Sequence, residues 1–323
     1  EYPMTPLISI VVPLYNEQDN LAPFLARLHD VLHARHDIRY EIIAVNDGSS
    51  DATLARLLEF RAIYPALNVI DLSRNFGKEA ALTAGLDHAQ GDAVLPIDGD
   101  LQHPPELIPA MLEKWREGYE VVLARRRDRE HESWLKRHTA RLFYRLQQRI
   151  SRPPVPADVG DFRLMDRRVV LALRQLRESH RFMKGLFAWV GFNTTTLDYD
   201  VAPRQHGQSH FHPIALIRLA LEGITSFSTF PLRLASLLGF AIALIALAYA
   251  SIILIQTLIF GIDQPGYASL IVTILFLGGV QLIAIGILGE YIGRIYSEVK
   301  ARPLYIVRER HPIEAAEKCS DDT

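Results

Sequence analysis

Two long uncharged stretches near the carboxyl terminus limit what this chain can fold into. No Asp, Glu, Lys or Arg occurs between Arg233 and Asp263, and none occurs between Asp263 and Glu290. An α-helix needs about 20 mainly apolar residues to cross the hydrocarbon core of a bilayer. The stretches therefore predict two transmembrane helices, because the buried helices of a soluble core seldom lack charge over such lengths.

The flanking charges predict the orientation of these helices. Arg218 and Arg233 precede the first stretch, the connecting residues 261–266 contain no Lys or Arg, and several basic residues follow the second stretch: Arg294, Lys300, Arg302, Arg308 and Arg310. By the positive-inside rule both ends should be cytoplasmic, with the short turn outside. Amphipathic patterns in residues 213–229 and 125–152 favour helices that lie either at the membrane surface or on the soluble domain.

The amino-terminal part alternates β-rich apolar runs with helical patterns. The predicted strands are residues 8–13, 41–45, 69–72, 93–97 and 121–124, and the predicted helices are residues 20–33, 51–61, 78–89 and 105–117. This alternation predicts an α/β domain with a parallel sheet covered on both faces. In such sheets ligands bind at the carboxyl ends of the strands, so the loops that follow the strands are the candidate site.

Those loops are polar after each of the first four predicted strands. They read Tyr15-Asn16-Glu17, Asn46-Asp47-Gly48-Ser49, Ser73 to Lys78, and Asp98-Gly99-Asp100-Leu101-Gln102. Taken alone, Asp47-Gly48 favours a simple turn with a helix cap, and Asp98-Gly99-Asp100 is compatible with a hairpin turn. The residues after Gln102 open a helix rather than a second strand, which weakens the hairpin interpretation.

The paired carboxylates of Asp98 and Asp100 suggest a metal-assisted diphosphate site. Residues two positions apart near a strand end can point the same way, and Mg²⁺ is bound by one or two carboxylates together with water and substrate phosphates. Arg74 and Lys78 would add positive charge. No Gly-x-Gly-x-x-Gly follows the first strand and no P-loop motif occurs, which argues against a dinucleotide cofactor and an ordinary P-loop NTPase.

Taken in order, these motifs resemble the family-2 glycosyltransferases, in particular the branch that acts on polyprenyl phosphates and includes dolichol-phosphate mannose synthase and the bactoprenol glucosyltransferases of O-antigen modification. The resemblance covers about residues 7–310 and is nearest to the bactoprenol enzymes. Its motifs are Val12–Glu17, Asn46–Ser49, Arg74–Lys78, Asp98–Gln102, Val159–Leu164, Phe182–Gly185 and Leu288–Arg294. It implies an α/β, Rossmann-like GT-A domain over residues 1–211, a juxtamembrane amphipathic helix over 212–233, two transmembrane helices over 234–296 and a cytoplasmic tail over 297–323.

The resemblance also implies roles for individual residues. Asp98 and Asp100 would bind Mg²⁺ or Mn²⁺ and the diphosphate, and Asp161 matches a carboxylate treated as catalytic base or acceptor-positioning group. Arg204 matches a basic loop that grips phosphate, although the Lys-Tyr that usually follows Ser209 is here His210-Phe211. The nucleoside would be held by Pro13, Tyr15, Glu17 and Asp47, with Asp47 on the base, and further substrate contacts are expected from Arg74, Lys78, Gln102, Arg163, Lys184 and Ser209.

Elementary chemistry leaves the role of Asp161 open. The second pKa of a phosphate acceptor is about 6, so the acceptor needs little deprotonation at neutral pH and Asp161 could either orient it or act as a base.

The expected reaction is inverting transfer of one sugar from a UDP-sugar to undecaprenyl or another polyprenyl phosphate, at the cytoplasmic face of a bacterial inner membrane, in cell-envelope or lipopolysaccharide chemistry. The residues themselves do not name the sugar or separate UDP from GDP; the resemblance favours UDP-glucose, with a UDP-aminoarabinose derivative or GDP-mannose as alternatives. A processive synthase would need a Gln-x-x-Arg-Trp motif that is absent. A non-catalytic membrane scaffold is the alternative from another class. No nucleic-acid partner is expected, and a homo-oligomer stays open.

Overall fold

The computed structural model describes residues 5–126, 159–178, 181, 183–199, 230–260 and 266–313. The predicted amphipathic segments, most of residues 125–152 and all of 213–229, lie outside these ranges, as do Arg204 and Ser209. The chain divides into two compact units. The first contains residues 1–212 together with 303–323, and the second contains residues 213–302.

The first unit is built on a mixed sheet, whose described strands have the order β7-β5-β6-β4-β1-β2-β3-β8. The strands are β1 (Leu7–Leu14), β2 (Arg39–Asn46), β3 (Leu67–Leu72), β4 (Ala93–Pro96), β5 (Val121–Arg126), β6 (Val159–Asp166), β7 (Thr194–Tyr199) and β8 (Val307–His311). The helices are α1 (Leu21–His33), α2 (Thr53–Phe60), α3 (Lys78–His88), α4 (Ile108–Arg116, after a 3-10 turn at Pro105–Leu107), α5 (Arg167–Gln175) and α6 (Met183–Trp189).

The predicted parallel sheet is confirmed for its centre. β1 pairs in parallel with β2 and β4, and β2 pairs in parallel with β3. Their apolar side chains are buried, as expected for strands covered on both faces. Helix α3 packs very close to β1 at Gly85. A Cβ at this position would lie only 2.2 Å from Val11 Cγ1, so the close approach requires glycine. Helix α3 begins at Lys78, close to the carboxyl ends of β1 and β4.

The prediction is wrong for the flanks, where the sheet is mixed. β6 lies between β4 and β5 and is antiparallel to both, and β8 is antiparallel to β3. The predicted strand that became β5 therefore does not neighbour β4. Residues 307–311, which lie within the predicted cytoplasmic tail 297–323, form an edge strand of the first unit.

The second unit contains two long helices that contact each other, α7 (Phe230–Phe260) and α8 (Tyr267–Val299). Within α8, Phe276–Val299 is long and apolar enough to cross a membrane, with a mean hydropathy of 1.5. Within α7, the described residues contain a shorter apolar segment, Ala235–Tyr249. One of the two predicted spans thus meets the criterion in the described part of the chain, and the two-span arrangement stays a prediction.

Candidate active site

A cavity of about 300 Å³ opens where the carboxyl ends of β1, β2 and β4 meet the start of α3. This is the edge at which parallel α/β sheets bind ligands. The cavity is lined by Pro13, Leu14, Tyr15, Glu17, Asp47, Asn75, Gly77, Lys78, Ala81, Asp98, Gly99 and Asp100. Most of the predicted donor-site residues are therefore brought together here.

The loops after β1 and β2 are tied to each other, which holds Glu17 at the cavity. The Asn16 side-chain oxygen accepts from the Ser50 N–H at 2.8 Å, and the Glu17 N–H donates to Thr53 Oγ1 at 3.0 Å. The Glu17 carboxylate accepts from the Asn20 amide at 2.6 Å. Burial, with smaller contributions from the nearby carboxylates of Asp100 and Asp98, raises the pKa of Glu17.

Asp47 holds the loop that leads into α3. It is 2% exposed, and its two carboxylate oxygens accept from the backbone N–H groups of Phe76 at 2.7 Å and Gly77 at 2.9 Å. Burial raises the pKa of Asp47, against the lowering effect of these two N–H groups. Gly48 has φ 61°, and a Cβ there would lie 2.3 Å from the carbonyl carbon of Arg74. Asp47 thus fixes the loop as well as lining the cavity, and its predicted contact with the base stays a prediction.

Lys78, the first residue of α3, links two carboxylates. Its Nζ lies 2.7 Å from Asp98 Oδ1 and 3.0 Å from Asp161 Oδ2. Burial would lower the pKa of Lys78, but the two carboxylates outweigh burial and raise it. Burial would likewise raise the pKa of Asp98, but His103 and Lys78 hold it at about 2. Asp98 is therefore ionised at neutral pH.

His103 is a site residue that the sequence analysis missed. Its Nε2 lies 3.5 Å from Asp98 Oδ2, and its Nδ1 lies 2.9 Å from the Tyr199 hydroxyl. The imidazole also stacks on Phe162, with ring centroids 5.1 Å apart. The sequence signal was its position directly after the Asp98 to Gln102 motif, where it was interpreted only as part of a helix start.

Asp100 lines the cavity beside Asp98, and Gln102 braces it. The Gln102 side-chain amide donates to Asp100 Oδ2 at 2.6 Å, and the Gln102 backbone N–H donates to Oδ1 at 3.1 Å. Leu101 between them has φ 60°, a left-handed conformation that turns the chain sharply. Gln102 does not line the cavity itself, so its contact in this structure is with Asp100.

Strand β6 supplies Asp161 and, beneath it, Arg163. Asp161 Oδ1 is buried and has no hydrogen-bond partner among the residues that the structure describes. Arg163 is 5% exposed, donates to the Gly160 carbonyl at 2.6 Å and lies 3.9 Å above the Phe187 ring. Burial lowers the pKa of Arg163 to about 10, despite the opposing effect of Asp161 and Glu79. Arg163 is not among the residues that line the cavity, and its predicted contact with substrate stays a prediction.

Of the remaining predicted contacts, Arg74 does not line the cavity, and the others lie wholly or partly outside the described residues. Arg74 is exposed, and its guanidinium lies 4.1 Å above the Phe76 ring and donates to the Asn75 carbonyl at 2.9 Å. Lys184 lies in α6, but its side chain is outside the described part of the structure. Arg204 and Ser209 fall within residues 200–229, which the structure does not describe.

The donor set fits a hard divalent cation. Asp98 and Asp100 direct carboxylates into one cavity, and oxygen donors are what Mg²⁺ and Mn²⁺ prefer. In the described ranges, no group of three or more His, Cys, Asp or Glu could hold a metal by itself. Mg²⁺ is commonly bound by one or two protein carboxylates, with water and substrate phosphates completing its shell.

Fold and site together define an α/β enzyme with an acidic ligand site at the carboxyl edge of its sheet. The Glycosyl transferase family 2 domain matches residues 9–174, and the GtrB C-terminal hairpin matches residues 230–295. The chain belongs to glycosyl transferase family 2 and is a glycosyltransferase.

Curated relatives align with almost the whole chain. An uncharacterized glycosyltransferase of Synechocystis sp. is 54% identical over 306 residues, which are 95% of this chain and 96% of the relative. The SfII prophage-derived bactoprenol glucosyl transferase of Shigella flexneri is 50% identical over 304 residues, 94% and 98% of the two chains. Among solved structures, mannosyl-3-phosphoglycerate synthase from Rubrobacter xylanophilus has a TM-score of 0.48 at 21% identity, over 68% of this chain and 72% of that one.

Proposed function

We propose that this enzyme transfers glucose from UDP-glucose to a polyprenyl phosphate, with undecaprenyl phosphate as the bacterial acceptor. One geometric observation carries the proposal: a single ammonium, Lys78 Nζ, lies within 3.0 Å of both Asp98 and Asp161. The carboxylate expected at the donor diphosphate and the one expected at the acceptor are therefore neighbours. The bactoprenol glucosyl transferase of Shigella flexneri, 50% identical, supports the choice of sugar and lipid.

The charge of the cavity supports dependence on a divalent cation. Four carboxylates line it (Glu17, Asp47, Asp98 and Asp100), whereas Lys78 is the one Lys or Arg among the lining residues. A nucleoside diphosphate is itself anionic, so its binding here needs further positive charge. Asp98 and Asp100 would hold Mg²⁺ or Mn²⁺, which when bound neutralises charge that develops on the leaving diphosphate.

The proposed transfer is a single displacement. An acceptor phosphate oxygen attacks the anomeric carbon while the bond from that carbon to the diphosphate oxygen breaks, and UDP leaves. One displacement without a covalent sugar–enzyme intermediate inverts the anomeric configuration. Asp161 would orient the acceptor, because a phosphate whose second pKa is about 6 needs little deprotonation. Arg204 and Ser209 would grip the acceptor phosphate, and Pro13, Tyr15 and Glu17 would hold the nucleoside.

The membrane arrangement is part of the same proposal. α7 and α8 would cross the bacterial cytoplasmic membrane as a hairpin, with the catalytic unit and both termini in the cytoplasm. The match to the GtrB C-terminal hairpin and the basic residues that flank the two apolar stretches support this. A polyprenyl phosphate carries its phosphate at the membrane surface, so an anchored enzyme meets it there.

The donor and the metal can be tested together in isolated membranes. Membranes that contain the enzyme would receive undecaprenyl phosphate and, in separate reactions, labelled UDP-glucose, a UDP-aminoarabinose derivative or GDP-mannose. We expect label in the organic phase with UDP-glucose and none after EDTA, with recovery on adding Mg²⁺ or Mn²⁺. Label with another donor alone would reassign the sugar. Full activity in excess EDTA would contradict the role given to Asp98 and Asp100, and no transfer from any donor would favour a scaffold.

A further inference from the structure

Lys78 forms an ion pair with Asp98, the carboxylate that a metal would need. Its Nζ contacts both oxygens of Asp98, at 2.7 Å and 2.9 Å, and Oδ2 also faces His103 at 3.5 Å. A divalent metal bound to Asp98 would lie about 2.1 Å from a carboxylate oxygen. Two cations on one carboxylate repel each other strongly in a partly buried site. Asp98 therefore cannot keep its full contact with Lys78 and also bind a metal well.

We propose that Lys78 is an internal cation that closes Asp98 to the metal until a nucleotide diphosphate draws the ammonium away. The proposal rests on the proposed function, because it takes Asp98 and Asp100 as the metal ligands. It goes further in assigning an order: metal alone binds the free enzyme poorly, and the nucleotide opens the site for it. Lys78 then moves from a carboxylate to the diphosphate, so its charge serves the donor.

The position of Lys78 allows this exchange of partners. It is the first residue of α3 and follows Gly77, whose φ is 97°, and its side chain is 48% exposed. A lysine has a flexible four-carbon stem that can reorient without backbone movement. The backbone of the preceding loop is fixed by Asp47 through Phe76 and Gly77, so the side chain is the mobile part. The same cavity that would take the diphosphate is lined by Lys78 itself.

Mn²⁺ binding to the full-length enzyme in detergent micelles tests the proposal. Free Mn²⁺ would be measured by electron paramagnetic resonance, with and without UDP, and corrected for Mn²⁺ bound by UDP in protein-free buffer. For the unmodified enzyme we expect weak binding alone and binding at least about 10-fold tighter with UDP, within the usual range of coupled sites. Without UDP, Lys78→Met should bind Mn²⁺ about 10-fold tighter than the unmodified enzyme does. The further increase in Mn²⁺ affinity on adding UDP should be smaller for this variant than for the unmodified enzyme.

Two control variants distinguish the contact between Lys78 and Asp98 from the effect of removing any nearby positive charge. Arg74→Met removes a positive charge from the same loop, but Arg74 lies against Phe76 rather than a carboxylate. Its Mn²⁺ affinity without UDP should stay within about twofold of the unmodified enzyme. Lys78→Arg keeps a cation beside Asp98 and should keep weak binding without UDP. Thermal melting of each variant shows whether it is folded, and Lys78→Gln replaces Lys78→Met if the latter is not.

Equal Mn²⁺ affinity of Lys78→Met and the unmodified enzyme without UDP would overturn the proposal. An equal rise in Arg74→Met would also overturn it, since long-range charge would then explain the effect. If no variant bound Mn²⁺ even with UDP, the metal assignment in the proposed function would fall, and the role of Lys78 with it. Tight Mn²⁺ binding by the unmodified enzyme alone would leave the metal assignment standing and refute only the order of binding.

Discussion

At the scale of single residues, the side chains that face the cavity are held by neighbours behind them. Gln102 fixes Asp100, and the backbone after Arg74 is held by Asp47. His103 contacts Asp98 through Nε2 and the Tyr199 hydroxyl through Nδ1. Tyr199 therefore helps to orient Asp98 by holding the His103 ring. We therefore assign His103 and Tyr199 as positioning residues.

Loss of the Tyr199 hydroxyl should affect turnover more than donor binding. Tyr199→Phe removes its hydrogen bond to His103, and one hydrogen bond of this kind contributes about 0.5–1.5 kcal/mol, so kcat should fall about 2- to 10-fold. The KM for UDP-glucose should change by less than about twofold. Because Tyr199 acts through His103, the double variant Tyr199→Phe/His103→Gln should lose little more kcat than His103→Gln alone. Steady-state kinetics of the three variants measures this.

The matched control is Tyr40→Phe, which removes a similar hydrogen bond away from the cavity. Tyr40 and His29 Nδ1 lie 3.0 Å apart, between α1 and β2. The kcat of Tyr40→Phe should be unchanged even if the melting temperature of this variant falls. Equal losses of kcat in Tyr40→Phe and Tyr199→Phe would show that Tyr199 acts through stability alone.

At the scale of elements, the edge strand β8 supports the loop of residues 73–78. The Ser73 N–H donates to the Ile306 carbonyl at 2.9 Å, and Arg308 donates to the Ser73 carbonyl at 2.6 Å. Arg308 also lies 3.4 Å from the buried carboxylate of Asp71. The loop from Ser73 to Lys78 is therefore held on one side by β8 and on the other by Asp47.

Arg308→Ala should loosen this loop. We expect the KM for UDP-glucose to rise about 2- to 5-fold and the free energy of unfolding to fall by about 1 kcal/mol, because a half-exposed charged hydrogen bond is lost. Arg310→Ala, two residues further along β8, is the control and should change the KM by less than about twofold. Donor titrations and thermal melts of both variants provide the measurement. A KM that rose equally in both would point to general loss of positive charge.

The elements also show how far a sequence can be interpreted. The central strands and their helices were predictable to within a few residues, because apolar runs such as 41–45 and 93–97 are buried on both faces. β6 was recognised only as a motif, since Gly160, Asp161 and Arg163 interrupt its apolar pattern. β8, Val307–His311, is mostly polar and exposed, and only its long-range pairing with β3 makes it a strand.

The site was predictable to a similar degree. Loop residues that follow parallel strands converge by topology, so Tyr15, Asp47 and Asp98 could be placed together without a structure. The pairing of Lys78 with Asp161 could not be predicted, because it depends on β6 entering the sheet beside β4. The burial of Arg163 could not be predicted either, because it also depends on the position of β6 between β4 and β5.

At the scale of the whole molecule, we propose a catalytic unit on the cytoplasmic side and a two-helix membrane hairpin. Topology reporters test this arrangement. A reporter fused after Thr323 should be active only in its cytoplasmic form, and one inserted in residues 261–266 should report the opposite side. The physical reason is the cluster of Lys and Arg outside the two apolar stretches and their absence between them. Reporters that give the same side at both points would refute the two-span arrangement.

The identity of the product is the sharpest test of the proposed glucosyl transfer. Purified enzyme would be given UDP-glucose, undecaprenyl phosphate and Mg²⁺, and the lipid extract examined by mass spectrometry, with Asp100→Asn as the inactive comparison and Glu117→Gln as a surface control. We predict one hexose on each undecaprenyl phosphate, because the product is a phosphodiester whose single negative charge makes it a much weaker nucleophile than the acceptor phosphate. Asp100→Asn should lower its formation by about 100-fold or more, as loss of transition-state charge stabilisation does. A ladder of sugars on the lipid, or a water-soluble glycoside as the sole product, would contradict the account.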